Sequence, residues 1–206
     1  MKRIKILLFF AAVLLFAACD KDPVTYRFEK EDEAKLLPHY TVGKILTFRN
    51  EVGEERKFEV ESFSQNIDQY TENHGYSGDC FYFYYEKRRI HFIDITPDIE
   101  ITPQNNFSIL IWRFPIDELK AENNIHMKYK SHLKGEFFYG LPLDFEQVQV
   151  TRNVNGISYN HVIETHRTDF STVYAFYYVK ILYYDIYHGI IEFHDINDHQ
   201  WKLVNE

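Results

Sequence analysis

The residues best able to do chemistry in this chain are its ten histidines and its 31 acidic residues. The closest histidine pairs are His161 with His166 and His194 with His199. In a strand, the odd spacing of the first pair places the two side chains on opposite faces. The second pair flanks a turn, but no HExxH or cysteine–histidine framework accompanies it. We therefore predict neither a bound metal nor any other cofactor.

Motifs for covalent catalysis are sparse. The sequence has no G-x-S-x-G elbow, and its glycines form no phosphate-binding motif. Of the two cysteines, Cys80 lies in the body of the chain and has no partner base in register. The pairs Asp94/Asp98 and Glu192/Asp195 resemble the carboxylates of glycosidases, but so acidic a chain contains such pairs by chance. We predict a non-enzymatic protein, with a hydrolase as the less favoured alternative.

Aromatic residues make up 17% of the chain, from 16 Tyr, 18 Phe and 2 Trp. Tyrosine and tryptophan combine a large flat face with a polar edge, which suits stacking on sugar rings and hydrogen bonding to them. Alternate residues of a strand point inward, so about half of these rings belong to the core. The remainder predicts a glycan-binding face, for which the candidate residues are Tyr82, Tyr84, Trp112, Tyr177 and Tyr184.

Two further functions compete with glycan binding. If the sheet closes into a barrel, inward aromatic residues line a cavity for an apolar ligand, and the protein is a carrier. The other alternative is a scaffold that docks to an outer-membrane protein through a sheet edge. Nucleic acid is excluded as a partner, because the net charge of −8 offers no basic face.

The elements that position these residues are predicted to be strands. Lys44–Asn50 and Arg56–Gln65 flank a glycine-bearing turn, and Phe58, Val60 and Phe63 alternate with charged residues in the second run. A second hairpin is centred on Asn155-Gly156, because such pairs supply the positive φ of tight turns. The chain ends in a meander with turns near 187–189 and 197–198.

Two segments are harder to assign. The run FYFYYEKRRIHFIDI over residues 81–95 is interpreted as two strands folded about Glu86–Arg89. IDELKAE over residues 116–122 is the best candidate for a helix. The sequence predicts an all-β domain of antiparallel hairpins and meanders. It forms a barrel or a strongly curved sheet with at most one or two short helices.

The first eighteen residues have the pattern of a signal peptide. Basic residues precede an eleven-residue apolar run, Ile6–Phe16, which is shorter than the roughly 20 residues that span a bilayer. Ala17 and Ala18 follow, as a signal peptidase requires. With Cys19 next, the segment resembles a bacterial lipobox. That resemblance implies a diacylglyceryl group on the Cys19 thiol and a membrane partner. The alternative is an ordinary secretory signal.

Three further stretches resemble Bacteroidota lipoproteins. Asp20-Lys21-Asp22 is similar to their surface-export signal, which implies the outer membrane of the cell envelope and surface exposure. The closing stretch YYDIYHGIIEFHDINDHQWKL and the hairpin KILTFRNEVGEERKFEV are similar to the ends and openings of uncharacterised members. We predict a signal peptide over 1–18, a lipidated N-terminus and tether over 19–40, and one β-rich domain over 41–206.

Overall fold

The computed structural model describes residues 24–28, 40–73, 80–97, 106–115, 127–134, 141–145, 147–167 and 179–204. These residues contain twelve strands and no helix, so the predicted all-β class is confirmed. The predicted helix over 116–122 lies outside them. The strands are β1 (Thr25–Tyr26), β2 (Ile45–Arg49), β3 (Glu55–Asn73), β4 (Cys80–Asp94), β5 (Phe107–Pro115), β6 (Met127–Lys134), β7 (Leu141–Asp144), β8 (Val150–Val154), β9 (Ile157–His166), β10 (Val179–Asp185), β11 (Gly189–Asp195) and β12 (Gln200–Leu203).

The described strands form one sheet with the order β7-β6-β5-β4-β3-β2-β12-β11-β10-β9-β8, and β1 pairs with β4 beside this path. The β1–β4 pairing is parallel, and the others are antiparallel. Two meanders, β2 to β7 and β8 to β12, therefore meet where β12 pairs with β2. The predicted hairpin and meander organisation is confirmed.

The sheet curves strongly on itself. A flat sheet would separate β7 from β8 by ten strand spacings, or about 48 Å. The chain passes from β7 to β8 in the six residues from Asp144 to Val150. Even fully extended, six residues reach only about 20 Å. Accordingly, β7 contacts β9. The hydrogen-bonded order of the described strands nevertheless has two ends, so the result is a curved open sheet rather than a closed barrel.

Aromatic side chains fill the inner face of this curve. The ring of Phe107 stacks on Phe92 at 4.4 Å between centroids and meets Phe58 edge-on at 5.2 Å. Across the seam between the meanders, Phe48 meets Phe193 at 5.1 Å. These five residues are at most 1% exposed. Contacts from ring to ring favour a packed core over a ligand cavity at this position.

The β8–β9 hairpin folds back over the outer face of the sheet. Strand β9 pairs with β10 only from Val162 to His166, and its first half pairs with β8. At the hairpin tip, Asn155 Nδ2 donates to the carbonyl of Leu203 in β12 at 2.8 Å. A second apolar cluster fills the space beneath, formed by Val154, Tyr159, Val162, Tyr183 and Ile191. The hairpin tip is thereby held beside β12.

Residues 81–94 of this run lie in the single strand β4, so the predicted turn at Glu86–Arg89 is wrong. Glu86 and Arg88 are buried and joined at 2.7 Å. Gln65 Nε2 donates to the same carboxylate at 2.8 Å. Because these groups satisfy one another, the charged run can lie within a sheet instead of in a solvated turn.

Strands β3 and β4 continue past β2 and β5 as a paired arm, which we define as residues 67–73 and 80–86. Pairing with β2 ends at Glu59, and the register of β3 shifts between Val60 and Ser62. The predicted alternation holds for Phe58 and Val60, which are buried. Phe63 was expected to point inward with them, but it lies just before the arm and is 43% exposed.

The short strand β1 lies on the arm. Thr25 pairs with Tyr84 in parallel, and Tyr26 packs its ring against Phe83 at 5.5 Å. The backbone N–H of Phe28 donates to the Glu86 carboxylate at 2.9 Å. Residues 24–28, within the stretch interpreted as a tether, are therefore attached to the domain.

Candidate functional site

The predicted aromatic site is divided between two faces of the sheet. Tyr82 and Tyr84 are two residues apart in β4 and so share one face, where Tyr82 is 39% exposed. Trp112 lies opposite Lys87, which belongs to the other face of the same strand. The structure thus brings Tyr82 and Tyr84 together but separates Trp112 from them.

Tyr184 belongs to the core, so its predicted role on an exposed face is wrong. Its side chain is fully buried, and the ring of Phe145 meets it at 6.0 Å. Burial, with smaller contributions from Tyr40 and Asp185, raises the pKa of its hydroxyl well above the usual value. Strand β10 is covered on both faces, which period-two alternation alone does not reveal. Tyr177 and Cys19 lie outside the described residues.

A polar groove of about 480 Å³ lies at the seam where β2 meets β12. Its lining combines cationic, amide and carboxylate side chains with one aliphatic residue: Arg49, Asn50, Glu51, Asn155, Gln200, Lys202 and Val204. The volume falls within the range of small-ligand sites, about 300–1,000 Å³. We take this groove as the candidate functional site.

Three segments distant in sequence position the groove. Arg49 of β2 and Lys202 of β12 are directly opposite in the antiparallel pair, so both side chains leave the same face. The preceding residue on each strand, Phe48 of β2 and Trp201 of β12, points the opposite way and is buried in the core. Asn155 reaches the groove from the β8–β9 hairpin tip, where Asn155 and Gly156 both have positive φ. The predicted Asn-Gly hairpin is confirmed.

The turn after β2 supplies the carboxylate of the groove. Asn50 is buried, and its Oδ1 accepts the backbone N–H groups of Val52 and Glu54 at 3.2 and 2.8 Å. This turn places Glu51 where its carboxylate accepts the backbone N–H of Gln200 at 3.0 Å. The backbone N–H groups of Glu51 itself and of Gln200 lower the pKa of that carboxyl, so Glu51 stays charged.

The two cations of the groove differ in their surroundings. The Arg49 guanidinium pairs with Glu55 on the neighbouring strand, at 2.5 and 3.2 Å. Lys202 forms no ion pair with any residue that the structure describes. The groove therefore offers an available ammonium beside a guanidinium, with a carboxylate and three amides nearby.

The β11–β12 turn is held by a buried carboxylate. Asp195 is 0% exposed and accepts the backbone N–H groups of Asn197 and His199 at 2.8 and 3.0 Å. Its other oxygen accepts the Trp201 indole N–H at 3.1 Å. Asp185 holds the turn before β11 in the same manner: its Oδ1 accepts the backbone N–H of His188 and lies 2.7 Å from Nδ1 of the same residue. Such bonds fix the point at which β12 enters the seam.

A buried ion pair fixes the hairpin that carries Asn155. Arg152 donates to both oxygens of Glu192, at 3.0 and 2.6 Å, and its guanidinium lies 3.8 Å from the ring centre of Tyr183. Nε2 of His194 is 2.9 Å from the same carboxylate. Burial opposes ionisation of Glu192, but the hydrogen bonds from His194 and Arg152 outweigh it and lower its pKa.

Ser108, His91 and Glu61 lie in a row on the sheet and have the residue types of a catalytic triad. His91 Nδ1 is 2.8 Å from Ser108 Oγ, and its Nε2 is 3.4 Å from Glu61. Ser108 is buried within β5 and pairs with strands on both sides. Its backbone is thus engaged in the sheet, whereas acyl transfer needs free N–H donors around the nucleophile. We therefore interpret these three side chains as a structural hydrogen-bonded group.

The four histidines that the sequence pairs together each lie beside one acceptor side chain. His194 contacts Glu192, and His199 contacts Asp195. His161 lies 2.9 Å from Gln149, and His166 lies 2.7 Å from Glu164. Among the residues that the structure describes, no three histidine, cysteine or acidic side chains are grouped to hold a metal ion.

Sequence reasoning missed the groove, because its residues come from three separate turns and strand ends. One signal was present: because side chains alternate along a strand, Lys202 points outward if Trp201 points inward. The pairing of the last strand with β2 carries no local signal, since each strand reads only as a half-buried segment.

The curved open sheet and its seam groove define the class of protein that the structure supports, an all-β protein with a polar surface groove. Comparison with family models, curated proteins and solved structures finds no match to this chain. Within the described part of the chain, no helix is long and apolar enough to cross a membrane.

Proposed function

We propose that this protein is a lipid-anchored lipoprotein of the bacterial cell envelope that binds a glycan in the seam groove, without catalysing a reaction on it. The lipobox resemblance at Cys19 supports attachment to the membrane by acyl chains. The stretch Asp20-Lys21-Asp22 supports the outer membrane and exposure at the surface. Two or more acyl chains hold a protein stably, as one chain does not.

The observation that carries the binding proposal is the lining of the groove. Sugar hydroxyls both donate and accept hydrogen bonds, so a glycan site needs mixed donors and acceptors. Asn155 and Gln200 provide amides with both functions, and Glu51 provides a charged acceptor. These residues replace the predicted aromatic face as the ligand site.

The cations of the groove favour an acidic glycan, one that bears carboxylate or sulfate groups. Arg49 and Lys202 stand side by side across the seam on a chain with a net charge of −8. Guanidinium and ammonium groups form charge-assisted bonds with such anions, stronger than bonds between neutral groups. Lys202 is available for this, since it has no ion pair with a described residue.

The test is a glycan array with neutral and acidic sugars, probed with the mature lipoprotein in nanodiscs. We expect binding to acidic glycans that weakens about 10-fold or more in Lys202→Gln, because a hydrogen bond to a charged group is lost. Arg89→Gln is the matched control, since Arg89 is exposed and lies on β4 away from the groove. A blank array from folded protein, or equal loss in both variants, would overturn the proposal.

The anchor has its own test. Cys19→Ala should abolish incorporation of labelled fatty acid and leave precursor with its signal peptide attached. Normal processing of that variant would contradict the lipoprotein assignment and would leave the binding proposal to be judged by the array.

A second candidate function is a scaffold for an outer-membrane protein complex. Beyond Glu59, no described strand pairs with the outer edge of β3, which continues to Asn73. An edge of this length is a template for an added strand from a partner. Capture of an outer-membrane protein by the wild type, and its loss in Gln69→Pro, would favour this role, because the backbone of Gln69 faces the open edge: its partner Tyr84 donates its N–H away from β3, to Val24.

A further inference from the structure

The direction of β1 shows where the N-terminus leaves the domain. Thr25 pairs with Tyr84, and Tyr26 pairs with Tyr85, in parallel. Strand β4 runs from the arm tip at Cys80 towards the body of the sheet. Residues that precede Thr25 therefore leave β1 towards the tip of the arm.

The distances are short. The last residue pair of the arm is Asn73 with Cys80. It lies four residues from Tyr84, or about 13 Å along the strand. Cys19 precedes Thr25 by six residues, which reach at most about 20 Å. A lipid on Cys19 is therefore anchored no more than about 7 Å beyond that last pair in the same direction.

Among the described side chains of β3 and β4, one face of the arm carries no exposed charge. Tyr82 and Tyr84 share it with Gln69 and Thr71, which are their direct cross-strand partners. Ile67, two residues further along β3, is 44% exposed, and Tyr82 is 39% exposed. Tyrosine is enriched at the membrane–water interface, where its ring and its hydroxyl meet different surroundings.

We propose that the arm meets the headgroups of the membrane that holds the lipid through this face, formed by Ile67, Gln69, Thr71, Tyr82 and Tyr84, with its Thr71 and Tyr82 end nearest the bilayer. This inference rests on the proposed lipid at Cys19. An uncharged face lets an acidic protein approach a bilayer without bringing acidic side chains to the surface.

The same geometry orients the ligand site. Strand β3 begins at Glu55, opposite Arg49 of the groove, and ends at Asn73 in the arm. Eighteen residues of strand separate these ends by up to about 60 Å. The groove therefore lies beside the end of β3 opposite to the end proposed to meet the bilayer.

The test uses the wild-type lipoprotein, one molecule per nanodisc of phosphatidylethanolamine and phosphatidylglycerol, with hydroxyl-radical footprinting read by mass spectrometry. Tyr82 and Tyr187 are both 39% exposed, so without a bilayer they should react alike. Tyr187 lies in the β10–β11 turn, away from the arm, and is the internal control. We expect at least a three-fold protection of Tyr82 relative to Tyr187.

Fluorescence quenching at three positions along β3 gives a second measurement. Cysteines for an environment-sensitive dye replace Thr71, Ile67 and Phe63, each about 13 Å further from the tip than the one before, in a Cys80→Ser background. Quenching by nitroxide lipids should fall in that order and be absent at Ile157 of the β8–β9 hairpin. Equal reactivity of Tyr82 and Tyr187, or quenching without this order, overturns the arm proposal.

The two proposals fail separately. The same mass spectra report whether Cys19 carries acyl chains. An acylated chain with an unprotected arm refutes membrane contact alone, whereas an unmodified Cys19 refutes the lipoprotein proposal. Protection that arises only when an outer-membrane protein is added also overturns the lipid assignment.

Discussion

Replacing Arg152 by methionine leaves a fully buried carboxylate without its main partner. Arg152 gives Glu192 two hydrogen bonds, at 3.0 and 2.6 Å, and Glu192 is 0% exposed. Removing one member of a buried pair costs about 3–5 kcal/mol, because the other charge remains. The Arg152 side chain is 29% exposed and His194 still contacts Glu192, so we expect a smaller loss of unfolding free energy, about 2–3 kcal/mol.

The assay is urea unfolding with linear extrapolation, for the wild type and for Arg152→Met. Arg89→Met removes an exposed arginine and should stay within about 0.5 kcal/mol of the wild type. Adding Glu192→Leu to Arg152→Met should recover most of the loss, since no unpaired charge remains. A loss below about 0.5 kcal/mol in Arg152→Met, or a double variant no more stable than the single one, would refute the reasoning.

Three further predictions concern the turns and charges around the groove. Although burial opposes its ionisation, hydrogen bonds lower the pKa of Glu192, so its contribution to stability is present above pH 4.5 and is lost as the pH falls through the lowered pKa. The difference in unfolding free energy between wild type and Glu192→Gln should therefore shrink on acidification, and a constant difference would contradict this. Gly156→Ala should cost about 1–2 kcal/mol through its φ of 84° alone, because the added Cβ meets nothing within 4 Å. An unchanged thermal midpoint would count against the strain. Trp201→Phe removes a hydrogen bond to Asp195, and calorimetry should show a loss of about 1–3 kcal/mol.

Local pattern was sufficient for the hairpins. Phe58 and Val60 alternate with charged residues and are buried as alternation requires. Asn155-Gly156 forms its tight turn because positive φ is accessible to asparagine and glycine. In both cases the deciding interactions lie within a few residues of each other.

The interpretations that failed depended on distant contacts. The charged run at Glu86 is a strand because Gln65 and the backbone of Phe28 satisfy its carboxylate. Tyr184 is buried because it lies on the core face of β10, and the folded-back β8–β9 hairpin covers the opposite face, which carries Tyr183. The groove joins residues near 50, 155 and 200, and no local pattern encodes that meeting.

The position of the groove links ligand binding to the integrity of the sheet. Its cations, Arg49 and Lys202, sit on the two short strands that join the meanders, where only two residue pairs are in register. A ligand that contacts both strands binds the closed seam and not the separated one, so it stabilises the folded chain by about 2.7 kcal/mol at 100 times its dissociation constant. A bound glycan would thereby reinforce the joint that the described chain closes with few backbone hydrogen bonds, at the end of the molecule farthest from the arm.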